Sequence, residues 1–302
     1  MIKRFNPSIL IRKPRVPVVY IDTFLWRTII NDDFEIKELL QKCCEDNLLV
    51  IVFSNATIGE LKQRNLYDSI TRICKNALLV IPVGRISANQ IIHSLICYFE
   101  DNRSVILDWE LAISDVPILQ ERSIGLRKLM NVLEEEINRA KKHSKFSKEK
   151  LVAILMDVQR RVWKFLLKYY GQLLKESQLF NTDNFHRQSR TYEKFFYTDY
   201  FTDLPSMVLG SYLFAYVIKE RTIKVNDIVD IYNISEILPY TSLYIMDKDQ
   251  HKRLKMLQKH WPIVFGGLED LTVLSSSLKE AEIKPFEMLS SYLKSLRLKR
   301  NT

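Results

Sequence analysis

Four short apolar runs constrain this chain more than any other feature. They are Val18-Val-Tyr-Ile21, Leu48-Leu-Val-Ile-Val-Phe53, Leu78-Leu-Val-Ile81 and Ser242-Leu-Tyr-Ile-Met246. Each has strand length, and none alternates apolar with polar residues. A half-exposed antiparallel strand alternates; a parallel strand covered on both faces does not. Amphipathic segments lie among them: Glu35 to Cys44, Ile58 to Cys74, Ala88 to Phe99 and Asp227 to Leu238. Alternation of strand and helix predicts an α/β fold, a parallel sheet flanked by helices.

A different texture fills the middle. Between Pro117 and Pro205 there is no proline, and the only glycines are Gly125 and Gly171. Such sequence forms helices. Ile154, Val158, Val162, Phe165, Tyr169 and Leu173 recur in steps of three and four, which predicts one apolar helical face. Residues 1–117 and 202–302, ending in a C-terminal helix, are therefore read as one sheet domain. Residues 118–201 are read as an all-helical insertion.

Several chemistries are excluded. The chain has seven glycines in 302 residues, with neither GxGxxG nor GxxxxGK[ST], so nucleotide-cradling loops are not expected. Cys43, Cys44, Cys74 and Cys97 form no CxxC, and the five histidines form no HExxH. Reduced, buried thiols in a cytoplasmic protein are the expectation. No run approaches the length of a membrane span, so no membrane partner is expected.

The positive charge is concentrated. The formal net charge is +9, and residues Leu119 to Asp199 hold 17 Lys plus Arg against 10 Asp plus Glu. Arg139 to Lys150 is the densest part and contains Lys141, Lys142 and Lys145. Arg160, Lys164 and Lys168 follow one another at i+4. Farther on, Arg187 and Arg190 enter a segment with six aromatic rings, Tyr192 to Phe201. Cations neutralise phosphates and rings stack on unpaired bases, so this mixture suits single-stranded nucleic acid. The same pattern also describes a solvated face above a core-packed aromatic cluster.

The acids are placed more tellingly. Asp22 directly follows the first apolar run, and Asp247 directly follows the last. Glu60 lies one helical turn beyond the second, behind Ser54-Asn-Ala-Thr57. Asp227 and Asp230 open the helix leading through Pro239 to the last run. Ligands of parallel sheets bind outside the carboxyl ends of strands, so these acids are expected to converge on one edge. Two like charges ~4 Å apart repel by ~4 kcal/mol at a surface-like dielectric. A cation relieves that repulsion, and hard oxygen ligands favour Mg²⁺ or Mn²⁺. Singly, each acid also has a plainer role. Asp22 and Asp247 suit turns, Glu60 suits a pair with Arg64, and Asp227 suits a helix cap with Asp230 completing a capping box.

Val18-Val-Tyr-Ile-Asp-Thr-Phe-Leu25, Ser54-Asn-Ala-Thr-Ile-Gly-Glu60 and the stretch from Val225 to Asp249 together resemble the PIN (PilT N-terminus) domain nucleases. The long bacterial PIN-like proteins are the more specific likeness. The resemblance covers the sheet domain and not the insertion. It implies a PIN-like fold in which Asp22, Glu60, Asp230 and Asp247 are catalytic metal ligands and Asp227 is accessory. Thr23 and Ser54 would orient an acid or a water. One departure is Ser242, where related sequences often carry an acid; Asp249 is a weak substitute.

The expected function is a divalent-metal-dependent endoribonuclease. The expected RNA contacts are Arg139, Lys141, Lys142, Lys145, Arg160, Lys164, Lys168, Arg187, Arg190 and the basic segment Lys294 to Arg300. A PIN-like DNA nuclease and an inactive PIN-like module binding nucleic acid or protein are the alternatives. A free ribonuclease endangers its host, so a controlling protein partner is expected.

Overall fold

The computed structural model describes residues 7–75, 77–114, 123–143, 145–176, 192–246, 248–260, 272–275 and 284–300. Its strands are β1 (Ser8–Arg12), β2 (Val18–Ile21), β3 (Val50–Ser54), β4 (Leu78–Ile81), β5 (Ser104–Asp108), β6 (Leu243–Met246) and β7 (Thr272–Ser275). The helices are α1 (Thr23–Asn31), α2 (Phe34–Glu45), α3 (Asn55–Gln63), α4 (Tyr67–Ile73), α5 (Arg85–Phe99), α6 (Trp109–Ile113) and α7 (Ser123–Ala140). They continue with α8 (Lys148–Glu176), α9 (Asp199–Thr202), α10 (Pro205–Glu220), α11 (Val225–Ile237), α12 (Lys248–His260) and α13 (Lys284–Arg300). The chain divides into two units, one of residues 13–83 and 237–302, the other of residues 1–12 and 84–236.

The first is a sheet unit. Its five strands run parallel in the order β4-β3-β2-β6-β7. All four apolar runs lie in this sheet. Every residue of β2 and β6 is buried, as their lack of alternation requires. Val19, Ile21, Ile51, Phe53, Leu243 and Ile245 meet Leu25, Trp26, Ile29, Leu40, Leu61 and Ile70 of the helices in one apolar core. Trp26 fixes α1 to the sheet: its indole N–H donates to Ile21 O at 3.1 Å, and its ring meets Phe53 edge-on at 5.6 Å. Leu289, Leu293 and Leu296 of α13 complete that core. Of the basic C-terminal segment, Lys294 pairs with Glu35 at 2.7 Å and Arg300 with Asp46 at 2.5 Å. These ion pairs pin α13 beside α2.

The cysteines are free and buried. Burial pushes the Cys43 thiol up to about 11, and a hydrogen bond with Cys44, together with burial, raises Cys74. Neither is a nucleophile near neutral pH. Among the described residues no helix is long and apolar enough to cross a membrane.

The second unit is mainly helical, with β1 and β5 as a parallel pair in the register Ser8↔Ser104 to Arg12↔Asp108. Helix α10 is its centre. From Ser206 to Ile218 only Val208 escapes full burial, and a helix apolar all round belongs in a core. Gly210 lets α8 approach: a Cβ there would stand 3.3 Å from Gln159 Oε1. Gln159 Nε2 donates to Met207 O at 3.0 Å and to Ser211 Oγ at 2.5 Å. The buried face of α8 consequently runs through Leu151, Leu155, Val158, Gln159 and Val162. This is rotated from the expected stripe, and Phe165 is 69% exposed.

The helical unit is larger than residues 118–201. Buried hydrogen bonds draw α5 into it: Ser206 Oγ donates to Gln90 Oε1 at 2.7 Å, and Ser94 Oγ donates to Tyr200 O at 2.6 Å. Glu236 of α11 accepts the N–H groups of Gly84 and Ser87, each at 3.0 Å. Gly84 stands at φ 88°, a left-handed conformation that suits glycine, and its backbone opens α5. Both α5 and α11 had been expected to flank the large sheet.

Candidate functional site

The carboxyl edge of the five-stranded sheet is built by two neighbouring strands that each end in a helix-capping side chain. From β2 the chain passes to β3 and β4 on one side, while β6 and β7 lie on the other. The order therefore reverses between β2 and β6, and crevices at such reversals hold ligands. Asp22 stands there. Its N–H continues the ladder by donating to Ile245 O at 3.1 Å. Its extended backbone and short carboxylate make it the N-cap of α1, with Oδ1 accepting Thr23 N–H at 2.6 Å. On the adjacent strand Ser54 caps α3 by accepting Thr57 N–H at 3.1 Å.

One hydroxyl links the two strand ends. Thr23 Oγ1 lies 2.9 Å from Glu60 Oε2 and 3.3 Å from Asp22 Oδ1. It has a single proton, and the shorter distance favours donation to Glu60. The two carboxylates thus lie within two hydrogen-bond lengths of each other, although 37 residues separate Thr23 from Glu60. Thr23 is buried and Glu60 exposed, so the pair faces solvent from an ordered base. Beneath it, Ser54 Oγ and Thr57 Oγ1 share a hydrogen bond at 2.9 Å, and Tyr20 OH stands 3.4 Å from Thr57 Oγ1. Tyr20 stacks on Tyr244 of β6 at 4.3 Å. Thr57, Tyr20 and Tyr244 were not singled out from sequence. Thr57 was visible only as the third helical residue after a serine cap.

The other expected acids are placed differently. Asp227 and Asp230 belong to the helical unit, and Asp247 lies outside the described residues. Asp227 is buried and fully engaged. Its Oδ2 accepts Arg221 Nη1 at 2.7 Å and Lys224 N–H at 2.8 Å, and Arg221 Nη2 closes a bidentate pair on Oδ1. It is the capping-box acid of α11, reaching back to the N–H that precedes the helix. An ion there would have to displace a guanidinium, so Asp227 does not fit a metal ligand. Asp230, one turn later, is exposed. Among the described residues no three His, Cys, Asp or Glu side chains are close enough to hold an ion together. Asp22 and Glu60 nonetheless fit a hard cation: both are oxygen donors at a strand-end crevice, held by a hydroxyl and a backbone N–H.

Three of the expected nucleic-acid contacts on α7 and α8 have anionic partners. Arg139 pairs with Glu136 and, at 3.8 Å, with Glu135. Arg160 pairs with Asp157 at 2.8 Å, donates to Phe196 O at 2.7 Å and covers the Tyr197 ring at 4.5 Å. Lys164 pairs with Glu193 at 3.2 Å. Lys168 lies on α8, and Arg187 and Arg190 fall outside the described residues. The aromatic segment is core: Phe195, Phe196 and Phe201 are fully buried, with ring centroids 5.1–5.9 Å apart. Of these rings, Tyr197 is exposed, beneath Arg160. Base stacking on this segment is therefore not supported.

No protein-family model matches the chain, no curated protein is recognisably similar to it, and no solved structure matches its fold.

Proposed function

We propose that this chain is a divalent-metal-dependent nuclease of the PIN type that hydrolyses RNA phosphodiester bonds. The observation that carries the reading is the Asp22–Thr23–Glu60 constellation at the carboxyl ends of β2 and β3, beside the point where strand order reverses. The resemblance of Val18 to Leu25 and Val225 to Asp249 to PIN nucleases supports the same reading. Asp22 and Glu60 would hold Mg²⁺ or Mn²⁺, with Asp247 as a further acid of the set. When bound, the ion lowers the pKa of a coordinated water and offsets charge on the phosphate oxygens. The chain's own residues set the geometry. Thr23 N–H fixes Asp22 Oδ1, and Thr23 Oγ1 fixes Glu60 Oε2, so neither carboxylate must be ordered when substrate arrives. Glu60, the more exposed acid, is the proposed acceptor for a proton from the attacking water.

The test is cleavage of labelled mixed RNA with Mn²⁺ by the wild type and Asp22→Asn. Asparagine is as good an N-cap as aspartate, so α1 and the thermal midpoint are retained. Activity falls at least ~100-fold, because ion-based charge stabilisation is lost. Undiminished cleavage by Asp22→Asn, or an inert wild type, would remove the assignment. Single-stranded DNA assayed in parallel separates the ribonuclease from a DNA nuclease.

A further inference from the structure

The turn joining α7 to α8 carries positive charge of a different kind from the helix faces beside it. On those faces the cations are matched by carboxylates: Glu136 serves both Arg139 and Arg161, and Asp157 serves both Arg160 and Arg161. At the turn the lysines are held by neutral groups. Lys141 Nζ donates to Thr222 Oγ1 at 2.6 Å, and Lys219 Nζ donates to Phe146 O at 2.9 Å. Lys148 Nζ lies over the Tyr216 ring at 4.4 Å, and Lys150 Nζ over the Phe146 ring at 4.0 Å. Lys142 and Lys145 are exposed between them. A ring or carbonyl orients an ammonium without cancelling its charge.

The corner is also fixed in shape. Asn138 exchanges two hydrogen bonds with the Ile223 backbone, both at 3.0 Å, tying the end of α7 to the loop after α10. Ser147 caps α8 through Lys150 N–H at 3.3 Å. The nearby acids are Glu149 and Glu220, against six lysines. Glu149 is held below the usual carboxylate range by backbone and Ser147 hydrogen bonds, with Lys148 and Lys219 adding to the effect. Phe146 has His143 at 5.0 Å and Lys150 over its ring, so it is occupied and not offered to a base.

We propose that this corner, comprising Lys141, Lys142, Lys145, Lys148, Lys150 and Lys219, is the surface that grips the phosphate backbone of single-stranded RNA. The paired arginines of α7 and α8 do not grip it. The choice of RNA as the polyanion rests on the nuclease reading above; the location of the surface rests on the unspent charge. Recognition here is electrostatic and indifferent to base sequence, because the Phe146 and Tyr216 rings are covered by lysines.

The test measures binding apart from cleavage. Fluorescence anisotropy follows a labelled oligouridylate titrated with the full chain carrying Asp22→Asn, in EDTA, across a salt series. Adding Lys142→Gln and Lys145→Gln weakens binding about tenfold at low salt and reduces the slope of log K against log salt by ~1.4, at ~0.7 per phosphate. Arg139→Gln with Arg161→Gln changes the slope by less than ~0.3. The proposal is overturned if the arginine pair carries the larger effect, or if oligouridylate does not bind. It is also overturned if a polyglutamate peptide or phosphatidylserine vesicles displace the RNA at lower concentration. Weaker binding by the lysine pair, with no Mn²⁺-dependent cleavage by wild type, would sink the nuclease reading and leave this surface standing. Asp22-dependent cleavage with an unchanged slope would do the reverse.

Discussion

In the sheet unit three of the buried polar side chains, Thr23, Ser54 and Thr57, stand together where β2 and β3 end. In the helical unit Gln90, Gln159, Ser206, Ser211, Asn233 and Glu236 are distributed through the interior. Burying a polar group costs about 1–3 kcal/mol unless it is hydrogen-bonded, so both patterns need a reason. The helical unit's reason is packing. Gln159 joins α8 to α10, Gln90 joins α5 to Ser206, and Glu236 joins α11 to the start of α5. The sheet unit needs no such help, because Trp26, Phe53 and their apolar neighbours fill its core. Its polar cluster lies at the strand ends, where Thr23 links α1 to Glu60 of α3. It orders two carboxylates at an edge. The same burial of polar groups thus joins helices in one unit and orders two carboxylates in the other.

The largest effects that could break this contrast are on stability. Trp26→Ala removes a fully buried indole and its hydrogen bond to Ile21, and costs ~3–5 kcal/mol. Gln159→Leu keeps the volume but removes the hydrogen bonds to Met207 O and Ser211 Oγ, and costs about 1 kcal/mol. Urea unfolding of both variants checks this. A neutral or stabilising Gln159→Leu would mean that the helical interior is held by volume alone, like the sheet core.

Glu236 sharpens the contrast through pH. Burial pushes its carboxyl up to about 7, against the opposing hydrogen bonds from Ser87 and Gly84. The folded chain therefore holds a proton that the unfolded chain releases near the ordinary glutamate value. Stability from this group is fully present below pH ~4.5 and is lost as pH rises through about 7, by about 3 kcal/mol in all. Urea midpoints from pH 4.5 to 8.5 should decline for wild type and be flatter for Glu236→Gln. An equal decline in both would assign the effect elsewhere. Cleavage assayed at one pH should survive Glu236→Gln, since this carboxyl caps a helix.

Legibility in the sequence follows the same division. Strands β2, β3, β4 and β6 are readable because burial on both faces leaves an unbroken apolar run, and the placement of Asp22 and Glu60 beyond the ends of β2 and β3 is readable because they follow such runs. Strand β1 is not, since it alternates between exposed and half-buried positions and its partner β5 begins 96 residues later. The division of units is invisible for a related reason. Periodicity marks α5 and α11 as helices but cannot say which layer covers them; Glu236, Gln90 and Ser206 decide that. Composition also misleads around Phe195 to Phe201, where rings near cations looked suited to bases and instead form core. The role of Asp227 depends on Arg221, six residues away, and no acid-counting rule reveals that pair.

Thr23 offers the finest discrimination, because it is the residue where fold and site overlap. Its backbone N–H holds Asp22, and its hydroxyl holds Glu60. Thr23→Val keeps the branched shape and the N–H and removes only the hydroxyl. Glu60 is exposed, so water replaces the lost donor and stability changes by less than ~0.5 kcal/mol. The carboxylate is no longer aimed, and losing such an orienting partner lowers metal affinity or activity ~10–100-fold. The signature is a Mn²⁺ titration of cleavage whose midpoint moves to higher concentration in Thr23→Val and returns in Thr23→Ser, which restores the hydroxyl. A purely structural threonine would give the opposite pattern, with a lowered unfolding midpoint and an unmoved metal titration. In that case the polar cluster of the sheet unit would have the same role as that of the helical unit.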